Sequence, residues 1–572
     1  MTSALRGGPS ERGVSERVSA AYRRIAEVDR PEVWITLRPE AELQAEAAVL
    51  EARLAAGESL PLAGVLVAVK DNVDVAGLPT TAASPSFAYD PAVSAPAVQR
   101  LVDTGALVLG KTNLDQFATG LVGTRSPYGV VRNAFDPELI SGGSSSGSAV
   151  AVALGLADIG IGTDTAGSGR VPAAFNGIVG LKPTLGLVSN TGVVPAVRPF
   201  DTISVFARTL TEAQAALTVM TAPDPADPTS RPWPATVTLA GSPARRIAVP
   251  DEDGLAAAAP QMRAAVTDAA AVLEKAGYTI ETVSISVLLD AASLLYGSAL
   301  VSERYAAVGD FISAHREDAD PTVAKLILSA RSYVAHELAR AQDEVRRYRV
   351  EAKRLLTGFD ALLLPTTTSH PSIADVRADP IETNIRLGTY TNFVNLLDMA
   401  AVAVPVPSAG WSAGVSVIGV AFTDQVLLDV AAAITGEVLT ASYAPTDTRL
   451  VVFGAHMRGE PLNHQLSDLG ARYLDEVHTA PRYRMVALPT VPPKPGILHD
   501  PADGGVLAGE RWAISPAGLG AFLAALPDPM RLGVVHLDDG ATAVGFHCDP
   551  VAAVGAQDIT ELGSWRAYLS RR

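Results

Sequence analysis

Cysteine is nearly absent from this chain: one residue in 572, Cys548. No internal disulfide framework and no cysteine-based metal site can be built from it, and Cys548 itself reads as a half-buried, inert thiol beside a hairpin. Histidine is scarce and lopsided. All nine histidines lie at or after residue 315, so the first half of the chain runs any acid–base chemistry without a local imidazole. Positive charge is in deficit, 45 basic against 61 acidic side chains for a net charge of −16, which argues against a nucleic-acid or anionic-membrane surface. Long hydrophobic runs are missing: the stretch 396–406 is interrupted by Asp398 and Pro405 before it reaches spanning length. Residues 1–30 are polar and charged, with no apolar segment of a secretory signal. No HExxH or comparable ligand spacing occurs. These absences lead us to expect a soluble cytoplasmic protein with no metal, no cofactor, no nucleic acid and no membrane among its partners.

What is present is a globular composition, 48% hydrophobic and 19% charged, in a chain long enough for two or more domains. From about 60 to 210, short β-branched runs alternate with helical stretches. GVLVAVK (64–70), ALVLGK (106–111) and residues 158–164 read as buried strands, and GIVGLKPT (177–184) as another short extended piece. PAVQRLVDTG (96–105) reads as a helix ending at a glycine, and SGSAVAVALGLA (146–157) as a second helix. Residues 255–360 are mostly helical by periodicity, notably 334–356, before strands return at 361–366 and 414–422. The alternation predicts an α/β layer architecture. After a polar, Pro-containing break at 436–451 the pattern changes to short runs between Pro and Gly. There the Asp-Gly pair in VVHLDDGATAVGF (534–546) signals a hairpin. The expected division is 1–445 and a smaller α+β domain over 450–572.

GALVLGKT (105–112) fits the phosphate-loop pattern G-x-x-x-x-G-K-[ST]. Its intervening residues, however, are themselves a strand. A strand spreads its amides along its length and cannot curl them round a phosphate.

The more informative stretches are ISGGSSSGSAVAV (140–152) and GTDTAGSGR (162–170). A Gly/Ser run is most often a linker, but the first of these feeds directly into an apolar helix. One helix and one strand join the two clusters, so both can lie at one end of that unit. Turns of this kind leave backbone amides pointing into open space, as an oxyanion hole requires, and a serine beside them needs a base to become a nucleophile. A Ser-His-Asp arrangement would need His315, His336 or His370 to fold back, and the G-x-S-x-G elbow is absent from both clusters. The other base is a lysine whose pKa burial has lowered. Lys70 ends the apolar strand GVLVAV and fits, although a lysine reaching solvent from a strand end is the plainer reading of that position.

GVLVAVKDNVDVAGLPTT, GKTNLDQFATG, SGGSSSGSAVAVA and GTDTAGSGRVPAAFNGIVGLKPT together resemble the amidase signature family. The resemblance is strong over 60–210, with weaker echoes at DALLLPT (360–366) and SVIGVAF (416–422). It implies a mixed β-sheet core covered by helices and amide hydrolysis through a Ser–cis-Ser–Lys triad. Motif by motif, Lys70 is then the base, Ser144 the bridging serine after a cis peptide at Gly143, and Ser168 the nucleophile. The amides of Thr165, Ala166, Gly167 and Ser168 correspond to the oxyanion hole, and Asp164 with Arg170 reads as a structural pair.

Ser146-Gly147 stands where most of the family has Gly-Gly, and TAGSGR replaces a commoner GGS-[IV]-R form. With NLDQFATGLVGTRSPYG (113–129) and the extra C-terminal region, these variants resemble the allophanate hydrolase branch. That resemblance implies a small anionic amide substrate bound by Gly120, Tyr296 and Arg304, the last two spaced eight residues apart on a helix-like stretch LLYGSALVSERY (294–305). It also implies a homodimer and a functional partnership with a urea carboxylase. The region from FGAHMRGEPLNHQL (453–466) onward either processes the product, N-carboxycarbamate, or serves assembly, with His464 and His456 as its polar candidates. The rival readings are a broad-specificity amidase and the glutaminase subunit of a tRNA-dependent amidotransferase.

Overall fold

The computed structural model describes residues 13–406, 410 and 412–571. Residues 1–12 of the segment read above for a secretory signal lie outside the described residues. The chain divides into two compact units. The first runs to Pro232 and resumes over Arg246–Tyr443; the second joins Trp233–Arg245 to the chain from Ala444 onward.

The first unit is built on one sheet. Its strands are β1 (Trp34–Leu37), β2 (Leu66–Lys70), β3 (Leu107–Thr112), β4 (Ile159–Asp164), β5 (Val179–Lys182), β6 (Thr202–Ala207), β7 (Arg246–Pro250), β8 (Thr279–Val283), β9 (Ala361–Pro365), β10 (Met399–Pro405) and β11 (Gly414–Val420). They lie in the order β1-β3-β2-β4-β6-β5-β10-β11-β9-β7-β8. The sheet is mixed. β2 runs parallel to both β3 and β4, β7 runs parallel to β8 and β9, and β10 is antiparallel to β5 and β11. Every residue of β2, β3, β4 and β6 is buried, which is why these segments read as continuous apolar runs rather than as alternating ones. Because β2 and β4 are parallel neighbours, with Val69 opposite Ile161, their carboxyl ends at Lys70 and Asp164 finish at the same edge of the sheet. Sites in open α/β sheets gather at such edges.

The helix between them, Ser146–Ala153, is buried from Ser146 through Val152. Its small residues are dictated by backbone approach: a Cβ on Gly147 would lie 2.4 Å from the Val33 carbonyl oxygen. Ser148 Oγ bonds the Ile161 carbonyl at 2.8 Å and shares a 2.7 Å contact with Thr112 Oγ1. A segment poor in side chains thus lies against an apolar neighbour because it is pressed between strands. The phosphate-loop pattern resolves as read: Leu107–Thr112 is a strand, and Lys111 is buried against Asp71 at 3.1 Å and Thr80 Oγ1 at 3.0 Å. A cation committed this way has no phosphate to meet.

The second unit carries β12 (Arg449–Val452), β13 (Arg472–His478), β14 (Tyr483–Leu488), β15 (Lys494–His499), β16 (Ala508–Ala513), β17 (Met530–His536), β18 (Thr542–Cys548) and β19 (Gln557–Asp558). One sheet has the order β13-β16-β12-β18-β17 and the other β15-β14-β19. β17 and β18 form the hairpin expected around Asp539-Gly540, with Gly540 at φ +83°. Cys548 is buried, and burial raises its pKa. Among the described residues no helix is long and apolar enough to cross a membrane.

Candidate active site

Lys70 is fully buried at the end of β2, and its Nζ donates to Ser144 Oγ at 2.8 Å and to Thr163 Oγ1 at 2.8 Å. Thr163 precedes the last residue of β4, so the parallel pairing of β2 and β4 sets this contact. Asn72 Nδ2 approaches the same hydroxyl at 3.3 Å. Burial lowers the Lys70 pKa from 10.5 to about 7, against the opposing pull of Asp115, Asp164 and Asp201. The Gly143–Ser144 peptide is cis.

The loop leaving β4 is tied down from below. The Asp164 carboxylate accepts from the Gly167 amide at 2.9 Å and the Gly169 amide at 3.0 Å, and two Arg170 nitrogens reach it at 2.9 Å. Both side chains of this pair are fully buried. Burial pushes the Asp164 pKa up, but the charge and hydrogen bonds of Arg170 outweigh it and hold the carboxyl below its usual range. Thr391 Oγ1 donates to the Ala166 carbonyl at 2.6 Å, and Thr165 Oγ1 donates to Asp201 Oδ1 at 2.5 Å. What remains open is informative. The amides of Thr165, Ala166 and Ser168 donate to no protein acceptor among the described residues, whereas the Gly167 amide is spent on Asp164. Of the amides expected to face a developing oxyanion, Gly167 therefore points elsewhere. Ser168 is 3% exposed, and its hydroxyl makes no hydrogen bond to Ser144 or to any other described residue.

A second cluster lies around Arg304, itself 1% exposed. Its Nη1 donates to Thr119 Oγ1 at 3.0 Å and its Nη2 to the Tyr296 hydroxyl at 3.2 Å, with the guanidinium 5.2 Å from the Tyr296 ring centroid. No carboxylate lies within ion-pairing distance of Arg304 among the described residues, and its Nε is buried without a hydrogen-bond partner. Sequence reasoning set Tyr296 and Arg304 on one helix-like stretch. The structure corrects this: Ser286–Gly297 and Val301–Ala314 are separate helices. The break is at Ser298, which is extended and donates its hydroxyl to the Leu294 carbonyl at 2.6 Å. A serine bonding back to the preceding turn competes with helix continuation. The two side chains still meet, now across a corner.

Asp115 connects the two clusters. Its Oδ2 accepts the amides of Val122 at 3.1 Å and Gly123 at 3.0 Å, its Oδ1 accepts that of Arg125 at 3.0 Å, and its own amide donates to the Ser144 carbonyl at 3.1 Å. The Thr119–Gly123 loop that meets Arg304 is thus tied to the residue that meets Lys70. Gly120 sits tightly here, since a Cβ on it would lie 2.5 Å from Asp115 Oδ2. Sequence reasoning quoted Asp115 and Thr163 within its motifs but gave them no role, and it did not reach Asp201. An acid three residues beyond a buried strand end was the available signal for Asp115.

None of the candidate histidines is a hydrogen-bond partner of Ser144 or Ser168. His370 stacks flat on Phe175 at 3.8 Å, meets the Ile140 carbonyl at 2.8 Å, and is pushed down to about 4 by burial; His315 stacks on Phe311. In the second unit His464 is exposed, with Nδ1 against the Pro461 carbonyl at 3.0 Å, whereas His456 is buried. No group of three or more His, Cys, Asp or Glu side chains is arranged to hold a metal among the described residues.

Comparison with known proteins follows this geometry. Residues 16–428 match the amidase family model, and residues 448–570 match that of the allophanate hydrolase C-terminal domain. The chain is 39% identical to the urea amidolyase of Saccharomyces cerevisiae over 95% of its own length, but spans only 31% of the length of that relative. It is 36% identical to a glutamyl-tRNA(Gln) amidotransferase subunit of Symbiobacterium thermophilum, over 73% of this chain and 92% of that one. In structure it is similar to the allophanate hydrolase of Kluyveromyces lactis, with a TM-score of 0.87 and 36% identity over 98% of this chain and 97% of the other. The urea amidolyase of the same organism aligns with a TM-score of 0.86 over 36% of its length.

Proposed function

The chain belongs to the amidase family, and from that premise we propose that it hydrolyses allophanate, releasing ammonia, through Lys70, Ser144 and Ser168. Neutral Lys70 takes the Ser144 proton, Ser144 takes that of Ser168, and Ser168 Oγ attacks the terminal amide carbon. The amides of Thr165, Ala166 and Ser168 receive the oxyanion, each donor contributing about 10²–10³ in rate. As the intermediate collapses, the proton returns through Ser144 to the leaving nitrogen, which departs as ammonia. Water then enters by the same relay and frees the acid, N-carboxycarbamate. Relay and general-base steps of this kind contribute roughly 10²–10⁴. No metal or cofactor enters this route.

The observation that carries the substrate assignment is Arg304: among the described residues, a buried guanidinium bonded only to neutral hydroxyls, with no carboxylate in ion-pairing distance. Buried charges are normally paired, and a substrate carboxylate supplies the missing partner, with Tyr296 beside it and the Gly120 backbone in the adjoining loop. Similarity to the allophanate hydrolase of K. lactis over nearly the whole of both chains supports the same choice.

The test is ammonia release from allophanate, malonamide and acetamide by the protein and by Arg304→Gln. Loss of charge-assisted bonds worth about 1.5–3 kcal/mol raises KM for allophanate by roughly 10- to 100-fold and spares the neutral amides. Equal losses on all three would overturn the assignment. Fast wild-type turnover of the neutral amides alone would favour a broad-specificity amidase.

We assign residues 1–445 to this chemistry, apart from Trp233–Arg245, which belongs to the second unit. Residues 450–572, with His464 and His456 as candidates, handle N-carboxycarbamate or assemble the protein as a homodimer. A urea carboxylase is the fitting functional partner, since allophanate is carboxylated urea and relatives of this chain occur as about a third of a longer urea amidolyase. The setting is cytoplasmic on this reading.

A further inference from the structure

Asn392 opens the short helix Asn392–Leu396 and is 4% exposed. Its Oδ1 is buried without a hydrogen-bond partner, and its Nδ2 donates to no described residue. The polar groups beside it are committed. Thr391 Oγ1 donates to the Ala166 carbonyl, and the Thr391 carbonyl accepts from two Arg170 nitrogens at 3.2 Å. Asn395 Nδ2 donates to the carbonyls of Asp164 and Phe200 at 2.8 Å each, while its Oδ1 accepts from Arg170 at 3.1 Å. Buried side-chain amides are ordinarily hydrogen-bonded, so the one on Asn392 asks for a partner that the protein does not supply.

Three contacts locate this amide. The preceding residue, Thr391, touches the loop of Ser168: besides its bond to Ala166, its Oγ1 lies 2.4 Å from where a Cβ on Gly167 would stand. The helix Asn392–Leu396 packs against Ser286–Gly297, which carries Tyr296. Upstream, Asn384 Oδ1 accepts the Leu121 amide at 2.7 Å, so the same stretch of chain borders the loop that holds Gly120. Asn392 thus lies in the segment that joins the loop of Ser168 to the Arg304–Tyr296 cluster. Gly388 makes room for it, since a Cβ there would lie 2.5 Å from Asn392 Oδ1 and 2.6 Å from its Nδ2. With no partner to hold the amide, its χ2 torsion is free to turn Oδ1 toward a donor.

We propose that Asn392 is a specificity-determining residue of the amide site, its Oδ1 accepting the bridging N–H of allophanate. The assignment rests on the function proposed above, in which the substrate is held at its two ends: the attacked carbon at Ser168, the carboxylate at Arg304 and Tyr296. Between those ends allophanate has a single N–H, a donor. The orphaned atom in the segment joining them is an acceptor. A site that buries an acceptor for one substrate N–H disfavours the analogue lacking it, because the acceptor is then left unpaired. Malonamate is that analogue: it keeps the terminal amide and the carboxylate, with CH2 in place of N–H. Arg304 then separates anionic from neutral amides, and Asn392 separates nitrogen-bridged from carbon-bridged ones.

The test measures ammonia release from allophanate and from malonamate by the wild-type protein and by Asn392→Leu, which keeps the branched shape of the side chain and removes its acceptor. The variant loses about tenfold in kcat/KM on allophanate and far less on malonamate, so the ratio between the two substrates falls by nearly the same factor. A loss of equal size on both overturns the assignment, since a merely structural asparagine does not distinguish them. A second arm leaves Asn392 in place: in calorimetric titrations Ser168→Ala binds allophanate at least about tenfold more tightly than malonamate. Equal affinities overturn the assignment even where Asn392→Leu fails to fold. Wild-type turnover of malonamate but not of allophanate overturns the proposed substrate, and this role of Asn392 with it. Wild-type turnover of allophanate with an unaltered ratio in the variant overturns the role of Asn392 alone.

Discussion

Lys70 Nζ and Ser144 Oγ lie 2.8 Å apart, both side chains fully buried, and the same nitrogen reaches Thr163 Oγ1 at 2.8 Å. The partners of this amine are neutral hydroxyls, and the acids that act on it electrostatically, Asp115, Asp164 and Asp201, do not offset the cost of burying its charge. A lysine so placed can act as a base near neutral pH, which an exposed lysine cannot.

Activity follows the ionisation of Lys70. With its pKa lowered from 10.5 to about 7, the neutral base is lost as pH falls below that value. In a pH series, kcat/KM on allophanate falls about tenfold per unit on the acid side and levels off above about 7. A flat profile down to pH 5 would contradict the assignment of the base.

Stability carries the same signature with a fixed sign. Between pH 7 and 10.5 the unfolded chain holds a proton on Lys70 that the folded chain has released, so the Lys70 contribution to stability rises with pH across that window. Below it, the fold carries a buried ammonium. Lys70→Met therefore melts at a higher temperature than the wild-type protein at pH 6, and the gap narrows as pH approaches 10. A wider gap at pH 10 than at pH 6 would contradict the account.

Arg170→Met removes the buried ion-pair partner of Asp164 and leaves its carboxylate with only the more remote charge of Lys182. Breaking one side of such a pair costs about 3–5 kcal/mol, read as a shifted urea midpoint. Asp164 also holds the Gly167 and Gly169 amides, so activity falls in the fraction that remains folded. A midpoint within error of the wild type would show that the pair is not what fixes the loop.

Gly120→Ala tests the link between the two clusters. The added Cβ would approach Asp115 Oδ2 to 2.5 Å, displacing a carboxylate that holds three loop amides and whose backbone meets Ser144. Displacements of this size cost about 10² in rate when they reach a reacting group. Steady-state kinetics beside a melting curve separates this loss from unfolding; unchanged kcat/KM would mean that Asp115 does not couple the loop to Ser144.

Much of the scaffold is legible in the sequence because burial on both faces leaves an unbroken apolar run. Leu66–Lys70, Leu107–Thr112 and Ile159–Asp164 announce themselves in this way, as does the small-residue helix after Ser145. Other features depend on contacts that no local pattern encodes. The apolar periodicity of 286–314 continues through Ser298, so only the hydroxyl bond back to Leu294 reveals two helices. Trp233–Arg245 belongs to the second unit through remote contacts, including the Leu239 amide to the Gly470 carbonyl at 3.1 Å, with no change of composition to mark it. The Gly167 amide reads like its neighbours until the Asp164 carboxylate is seen to claim it. Asp115 lies inside a recognisable motif, yet its four hydrogen bonds reach residues up to 29 positions away in sequence.

The most direct measurement is the initial rate of ammonia release from freshly prepared allophanate by the wild-type protein and by Ser168→Ala, purified side by side. The account predicts rapid release by the wild type and a loss of at least about 10³-fold in the variant, with both proteins melting alike. Release by Ser168→Ala at a rate close to that of the wild type would contradict it, because the other hydroxyl of the loop that follows β4, on Thr165, donates to Asp201 Oδ1.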